Sequence, residues 1–261
     1  MLKVLHRTDD GFGSIVVTEN GNKRVLSFAS DFQQSAIYIN KPWQLVHEYT
    51  QIMLLGLAFT QAKNIILLGL GGGGLVHCLN YFYPQMKLEV VEIRQAVIDV
   101  AYKWFDLPDT NNINLHCRDA NDYIKQVVPA NADIIFSDLY EAQGMSEVQT
   151  QNDFISACAR ALNENGWLVI NFHKLPDKNS SVMQQLSICF SEIFYCDIFK
   201  GNWVVFCGKA HAGFNARKTK ASGIKTSKLK TNEIKERVIE LGVYVNSPIK
   251  YYFNKIKTVK F

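Results

Sequence analysis

Residues 65–79, IILLGLGGGGLVHCL, place five glycines within six positions, directly after an apolar run and before a helical pattern. Glycine loses more conformational freedom on folding than any other residue, so such a cluster indicates that another group approaches the backbone closely. Gly69, Gly71 and Gly74 match the G-x-G-x-x-G pattern of nucleotide-binding loops, in the required order of strand, loop and helix. The alternative is a turn that only lets the helix pack closely on the sheet.

The alternation of strand and helix patterns continues to about residue 208. The apolar segments are IILLGL, LEVVEI, INLHC, DIIFSDL and WLVINF, with amphipathic helical segments beginning at GLVHCL, QAVIDV, DANDYI, QNDFIS and SSVMQQ. This pattern favours a mostly parallel sheet covered on both faces. EIFYCDIF and NWVVFCGK are separated by only three residues, 200–202, so these two strands are predicted to pair antiparallel. We therefore predict an α/β, Rossmann-like fold of the S-adenosylmethionine-dependent methyltransferase type, a doubly wound sheet ending in an antiparallel hairpin.

Three regions are predicted along the chain. Residues 1–58 form a small β module and a connecting helix, because SIVVTE and KRVLSF flank a turn at 20–22, SAIYI follows, and Pro42 is suited to open a helix. Residues 59–208 form the Rossmann-like nucleoside-binding catalytic domain. Residues 209–261 form a basic linker and a helical extension, with a helix predicted at TNEIKERVIELG.

Charge is distributed unevenly between these regions. Residues 209–261 contain 13 Lys and Arg against 3 Asp and Glu, whereas residues 1–208 contain 15 against 21. An acidic body suits a cationic small substrate. The basic tail either packs on the body or remains solvated, which we favour, or it binds nucleic acid.

The remaining composition places the chain in a reducing compartment. The six cysteines show no CxxC pair and no metal-ligand spacing, so we expect no metal site. No apolar run is long enough for a membrane span, and the N-terminal residues lack the pattern of a secretory signal. We expect a cytoplasmic protein without a membrane partner.

Acidic residues follow several of the predicted strands. Glu92 ends LEVVEI, where it can accept hydrogen bonds from ribose hydroxyls, and Asp119 follows INLHC, where it either contacts an adenine amino group or caps the next helix. Asp138 ends DIIFSDL, and burial there could raise its pKa toward that of a useful base. With Glu141 three residues later, the carboxylates suggest a positively charged partner beside a nucleoside.

These residues resemble the spermidine synthase family of polyamine aminopropyltransferases over about residues 25–208. The matching segments are Gln34, HEY at 47–49, LLGLGGGG at 67–74, VVEI at 90–93, RDA at 118–120 and SDLYEAQGMSE at 137–147. The resemblance implies decarboxylated S-adenosylmethionine as aminopropyl donor, a diamine such as putrescine as acceptor, and a homodimer.

The resemblance also implies roles for individual residues. Asp138 would be the base. The donor site would comprise Gln34, Gly69, Gly71, Gly74, Glu92, Asp119 and Ala120. The acceptor site would comprise Glu141, Tyr140, His47 and Glu48, of which His47 and Glu48 could instead be surface residues of a helix.

Three positions depart from the family pattern. Gly72 stands where the family's GGGDGG loop has an aspartate that grips the donor's amine, Asp138-Leu-Tyr-Glu141 replaces DSSDP, and Val46 replaces the tyrosine before the HE pair. Aminopropyl transfer is therefore weighed against methyl transfer from intact S-adenosylmethionine, which the missing aspartate favours, and against a non-catalytic nucleoside-binding protein.

Overall fold

A computed structural model describes residues 2–28, 33–142, 144–198, 201–209, 226–244 and 248–259, without the side chains of residues 33–34, 226–231 and 244. The chain forms a small antiparallel sheet, a large mixed sheet with helices on both faces, and a C-terminal pair of helices.

The small sheet has five antiparallel strands in sequence order: β1 (Lys3–Asp10), β2 (Gly13–Asn20), β3 (Lys23–Phe28), β4 (Gln33–Tyr38) and β5 (Lys41–Leu45). The predicted hairpin between β2 and β3 is present, with Asn20 opposite Lys23. The predicted helix at Pro42 is wrong, because Pro42 lies in β5 and α1 begins at Glu48. A proline, which lacks an N–H donor, is tolerated here because β5 is an edge strand.

The large sheet follows the predicted alternation of strands and helices. Its strands are β6 (Asn64–Leu68), β7 (Lys87–Glu92), β8 (Ile113–Cys117), β9 (Ala132–Ser137), β12 (Leu162–Phe172), β13 (Glu192–Asp197), β14 (Trp203–Gly208) and β15 (Lys257–Thr258). The strand order is β15-β13-β14-β12-β9-β6-β7-β8, parallel from β12 to β8 and antiparallel from β12 to β15. The predicted fold class, with its closing antiparallel hairpin, is confirmed.

The helices and the short hairpin complete the element list. The helices are α1 (Glu48–Met53), α2 (Gly56–Phe59), α3 (Gly74–Phe82), α4 (Gln95–Phe105), α5 (Ala120–Gln126), α6 (Asn152–Ala161), α7 (Ser181–Cys189), α8 (Thr226–Tyr244) and α9 (Ile249–Phe253), with a 3-10 helix at Glu147–Thr150. A two-stranded hairpin, β10 (Tyr140–Glu141) and β11 (Gly144–Met145), lies outside both sheets. Among the described residues, no helix has the length and apolar character needed to span a bilayer.

Apolar side chains join the small sheet to the large one through α4. Ile15 and Leu26 of the small sheet share a buried cluster with Val97 and Phe105 of α4. The buried guanidinium of Arg94 adds a polar link, since it donates to both carboxylate oxygens of Asp10 and to a backbone carbonyl in the β1–β2 turn. The small sheet is thereby held beside the glycine-rich loop that follows β6.

The described part of the C-terminal extension packs on the body. Apolar residues of α8 and α9, including Val238 and Ile249, belong to the same buried cluster as Ile52 and Leu55 of the α1–α2 segment. The helix α8 begins five residues before the predicted segment, and the pairing of β15 with β13 was not predicted from the sequence. The predicted linker lies largely in residues 210–225, outside the described part of the chain.

Candidate active site

The glycine-rich loop lies against the end of β9. Gly69, Gly71 and Gly73 have positive φ angles of 100°, 56° and 75°, which L side chains rarely adopt. A Cβ atom at Gly69 would lie 2.3 Å from the backbone oxygen of Asp138. The group that lies close to the Gly69 backbone is therefore the chain's own backbone at Asp138, directly after β9.

Glu92 holds this loop from the end of β7. One carboxylate oxygen accepts from the backbone N–H of Leu70 at 3.2 Å, and the other accepts from that of Arg94 at 3.0 Å. Burial raises the pKa of Glu92, while these hydrogen bonds and one from Gly71 oppose the increase. A carboxylate has about four lone-pair sites, so Glu92 can bind the loop and still accept from a ligand hydroxyl.

Asp138 is a partly buried carboxyl group directly after β9. Burial raises its pKa to about 6, although hydrogen bonds donated by Asn171 and by the Tyr49 hydroxyl favour the ionised form. The Asn171 amide nitrogen lies 2.8 Å from one carboxylate oxygen of Asp138. An acid that titrates near neutral pH is suited to exchange protons with a ligand.

A narrow cleft opens between the glycine loop, the small sheet and the start of α1. Its lining includes Gly69, Gly74, His47, Tyr49 and Asp138. The lining residues described by the structure carry one carboxylate and no Lys or Arg. This charge favours a cationic ligand.

The turn between β5 and α1 places two of these side chains in the cleft. His47 is the extended N-cap residue of α1, and its carbonyl accepts from the Thr50 hydroxyl at 2.8 Å. The His47 ring stacks on Tyr49 with centroids 5.6 Å apart. Burial lowers the pKa of His47, and its Nε2 is buried without a hydrogen-bond partner among the described residues. His47 therefore offers a neutral imidazole to a ligand.

Several predicted site residues lie outside the cleft lining. Asp119 caps α5 by accepting from the Asp122 N–H at 3.0 Å, and Ala120 is buried in the first turn of that helix. Glu141 is exposed on β10. These arrangements leave their predicted roles toward donor and acceptor as predictions.

The other predicted contacts have different surroundings. Glu48 is hydrogen-bonded to Tyr252 of α9 and is not among the residues that line the cleft. The Tyr140 hydroxyl donates to the Asn171 carbonyl at 3.5 Å, and burial together with the charge of Asp138 raises the pKa of Tyr140. The side chain of Gln34 lies outside the described part of the chain.

Comparisons with known proteins define the family. The model of the spermine/spermidine synthase domain matches residues 46–205. This chain belongs to that family. A polyamine aminopropyltransferase of Neisseria meningitidis is 30% identical over 171 residues, which are 64% of this chain and 65% of the relative. One from Chromobacterium violaceum is 29% identical over 174 residues, 66% of each chain. The matched part thus spans just under two thirds of these relatives.

Solved structures show the same fold. A probable spermidine synthase from Corynebacterium glutamicum superposes with a TM-score of 0.71 at 18% identity, covering 90% of this chain and 86% of the other. A spermidine synthase in complex with the transition-state analogue AdoDATO gives 0.64 at 16% identity, covering 92% and 88%. Human methyltransferase-like protein 13 with SAH gives 0.60 at 20% identity, covering 78% and 94%. At these identities the likeness concerns the fold alone.

In this family member, an aromatic side chain occupies the space beside the loop position that departs from the family pattern. A Cβ atom at Gly72 would lie 2.8 Å from the Phe105 ring and 3.2 Å from the Ser35 hydroxyl. Phe105 is fully buried at the end of α4. The family's loop aspartate could be accommodated here only if Phe105 moved.

Three side chains in the hydrogen-bond network around Asp138 were not among the residues predicted for the site. Tyr49 and Asn171 donate to Asp138, and Asn202 donates to Asn171 at 3.0 Å. Asn171 could have been found, because it is polar at the end of the apolar segment WLVINF and parallel strands end at one edge of the sheet. Tyr49 lies in the HEY segment at 47–49 that carries the resemblance but was assigned no role, and Asn202 carries no comparable sequence pattern.

A buried glutamine fixes the loop that carries Asp138. Gln149, which is 0% exposed, accepts from the Ser137 hydroxyl at 2.6 Å and the Leu139 N–H at 3.3 Å. Its amide nitrogen donates to the carbonyl oxygens of Leu139 and Asn171 at 3.4 and 3.3 Å. Such a network pre-organises the loop that carries Asp138 before any ligand binds.

We expect Tyr49→Phe to raise the pKa of Asp138, because the lost hydrogen bond favours the ionised carboxylate. A hydrogen bond to a charged group contributes about 1.5–3 kcal/mol, so the titration should move up by about one pH unit or more. Carboxyl-carbon NMR across pH 4–9 measures it. Tyr81→Phe is the matched control, since Tyr81 is 56% exposed and stacks on Trp43 away from the cleft. Equal titration of Asp138 in both variants would show that Tyr49 does not support the carboxylate.

Proposed function

We propose that the chain transfers an aminopropyl group from decarboxylated S-adenosylmethionine to an amine of a diamine such as putrescine. The observation that carries the proposal is the position of Asp138, a partly buried carboxyl group with a pKa of about 6 that lines the same cleft as the glycine loop. Membership of the family and the names of the relatives support the same activity.

Aminopropyl transfer requires a base and alignment of the reacting atoms, and it needs no acid because the leaving group departs as a neutral thioether. The diamine nitrogen is an ammonium at neutral pH and has no lone pair, so it must lose a proton before it attacks. Asp138 takes that proton; the nitrogen forms a bond to the propyl carbon while the carbon–sulfur bond breaks, and methylthioadenosine leaves as a neutral thioether. With a pKa of about 6, about 90% of Asp138 is ionised and ready to accept at pH 7.

Other groups around the cleft bind the two substrates and align them for transfer. The unpartnered Nε2 of His47 and the hydroxyl groups of Tyr49 and Tyr140 are positioned around the base. We assign the adenosine to the side of the glycine loop, with Glu92 and Asp119 as its polar contacts, and the diamine to the side of Glu141. Holding nitrogen, carbon and sulfur in line can contribute about 7–11 kcal/mol to catalysis.

The assembly and location form part of the same proposal. We infer a homodimer that works in the cytoplasm. The six cysteines are all free thiols in the described residues, which suits a reducing compartment. Among those residues no cluster of His, Cys, Asp or Glu is arranged to hold a metal ion.

Incubation of the protein with each donor and a panel of diamines tests the activity. We expect methylthioadenosine and an aminopropylated amine with the decarboxylated donor, and tighter calorimetric binding of that donor than of intact S-adenosylmethionine. Methyl transfer from intact S-adenosylmethionine is the second candidate. The loop has Gly72, packed against Phe105, where the family has an aspartate. It therefore lacks the side chain that would favour the decarboxylated donor over the intact one. Release of S-adenosylhomocysteine with the intact donor, and no product with the other, would favour methyl transfer.

The transfer rate should fall on the acid side of about pH 6, the pKa of Asp138. A protonated carboxyl group cannot accept a proton, so kcat/KM should decrease about tenfold for each pH unit below that value. Donor binding, measured by calorimetry at the same pH values, serves as the control and should change much less. A rate that is independent of pH between 5 and 7 would argue against Asp138 as the base.

A further inference from the structure

Asn171 and Asp138 end adjacent parallel strands of the large sheet. Ile170 of β12 is paired with Ser137 of β9, so the next residue on each strand lies at the same edge. Asn171 is 1% exposed, and its amide nitrogen donates to a carboxylate oxygen of Asp138 at 2.8 Å. The base is therefore supported from the sheet by one buried amide.

An amide side chain can present either a donor or an acceptor, and a neighbouring residue decides between them. The Oδ1 atom of Asn171 accepts from the Nδ2 atom of Asn202 at 3.0 Å. Asn202 precedes β14, whose first residue, Trp203, is paired with Phe172. With its oxygen engaged by Asn202, Asn171 keeps its nitrogen toward Asp138.

Other groups also face Asp138. The Tyr49 hydroxyl donates to it from α1, Tyr140 approaches it from β10, and His47 lines the same cleft with a lowered pKa. Burial acts against ionisation of Asp138, whereas the hydrogen bonds from Asn171 and Tyr49 favour it. Asn171 and Tyr49 are thus the two side chains whose hydrogen bonds favour ionised Asp138, and Asn171 does so because its amide nitrogen faces the carboxylate.

We propose that Asn202 is a positioning residue, which fixes the orientation of Asn171 and thereby keeps Asp138 as a hydrogen-bond acceptor in the cleft. The inference rests on the proposed function for its catalytic consequence, because Asp138 is the base in that proposal. Without the Asn202 donor, the Asn171 amide is free to turn its oxygen toward Asp138. A carboxyl group facing a carbonyl oxygen is favoured in its protonated form.

Two substitutions and a control test whether Asn202 fixes the orientation of Asn171. Asn202→Leu removes the donor at similar size and without charge, and Asn202→Asp replaces it with an acceptor that requires the opposite amide orientation. Asn20→Leu, at an exposed end of β2, is the matched control. The substrate-free proteins are titrated by carboxyl-carbon NMR, with the Asp138 resonance identified by its absence in Asp138→Asn.

We expect Asp138 to titrate near pH 6 in the wild type and in Asn20→Leu. In Asn202→Leu it should titrate at a higher pH, by about one pH unit, and in Asn202→Asp higher again. If Asn202→Leu does not fold, Asn202→Ala, which also removes the donor and adds no charge, decides the question by the same measurement.

A folded Asn202→Leu or Asn202→Asp protein with the wild-type titration would overturn the proposal. In the transfer assay, the acid limb of kcat should move with the titration, while KM for the diamine changes less than twofold. The NMR measurement uses no substrate, so its outcome is separate from that of the activity assay. A shifted titration in a protein that transfers no aminopropyl group would overturn the proposed function and retain the positioning role.

Discussion

Asp138→Asn is expected to lower aminopropyl transfer by about 10²–10⁴-fold, the range typical for loss of a general base. Asparagine has nearly the same shape as aspartate but cannot take a proton from the acceptor ammonium. The substitution changes neither the size of the side chain at 138 nor the glycine loop and Glu92. Donor affinity should therefore stay within about threefold of the wild type. Single-turnover rates and calorimetric titration with the donor separate the two effects.

The stability of the same variant provides a control. The pKa of Asp138 is raised in the folded state, so the folded protein binds more protons than the unfolded chain between pH 3.8 and about 6. The wild type therefore loses stability as the pH rises through that window, and Asp138→Asn avoids this loss. We expect an unchanged or higher Tm at pH 7. Wild-type turnover in a folded Asp138→Asn protein would exclude Asp138 as the base.

Gly69→Ala should disable the site through the backbone. Gly69 has a φ angle of 100°, and an added Cβ would lie 2.3 Å from the Asp138 carbonyl oxygen. Backbone strain alone costs about 1–3 kcal/mol, and the clash must displace either the loop or the residue that carries the base. We expect a loss of transfer of about 100-fold or more, because small misplacements at a reacting centre have effects of that size.

Gly11→Ala is the matched control for this substitution. Gly11 is exposed in the β1–β2 turn, outside the cleft lining, and a Cβ atom there would meet nothing within 4 Å. We expect transfer within about twofold of the wild type and an unchanged or slightly higher Tm, because a tolerated Gly→Ala change stabilises by about 0.4–1 kcal/mol. Equal activity of the two variants would show that the geometry at Gly69 is not needed for transfer.

Periodic segments of the chain were predictable because burial imposes a repeating pattern. The strands β6 and β9 and residues 167–170 of β12 are nearly continuous apolar runs, since helices cover both faces of the sheet. The antiparallel end followed from a connection too short to cross over. These predictions needed only local pattern and the length of the linking segments.

The elements that were missed depend on tertiary contacts. Pro42 is as compatible with an edge strand as with the first turn of a helix, and pairing of β5 with β4 decided between them. β1 was missed because its register shifts between Val4 and His6, which interrupts the alternation. β15 is two residues long and exists through pairing with β13, about sixty positions earlier.

The acidic residues at the strand ends of the candidate site were predictable from the sequence, whereas the side chains that hydrogen-bond to them were not. Asp138 was found because ligands bind at the carboxyl ends of parallel strands. Its two hydrogen-bond donors come from separate parts of the chain, Tyr49 from α1 and Asn171 from β12. Asn202, which donates to Asn171, comes from the turn before β14. No spacing rule links these positions, because only the packed fold brings them together.

The hydrogen bond between Tyr252 and Glu48 joins the start of α1 to α9, about 200 positions later in the chain. On a ribosome, the glycine loop and Asp138 emerge long before Tyr252, since synthesis runs from the N-terminus at about 5–20 residues per second. The helix that bears Tyr49 can form this hydrogen bond only after residue 252 has left the exit tunnel. During synthesis, this side of the cleft therefore gains its contact with α9 after the glycine loop and Asp138 are already available to fold.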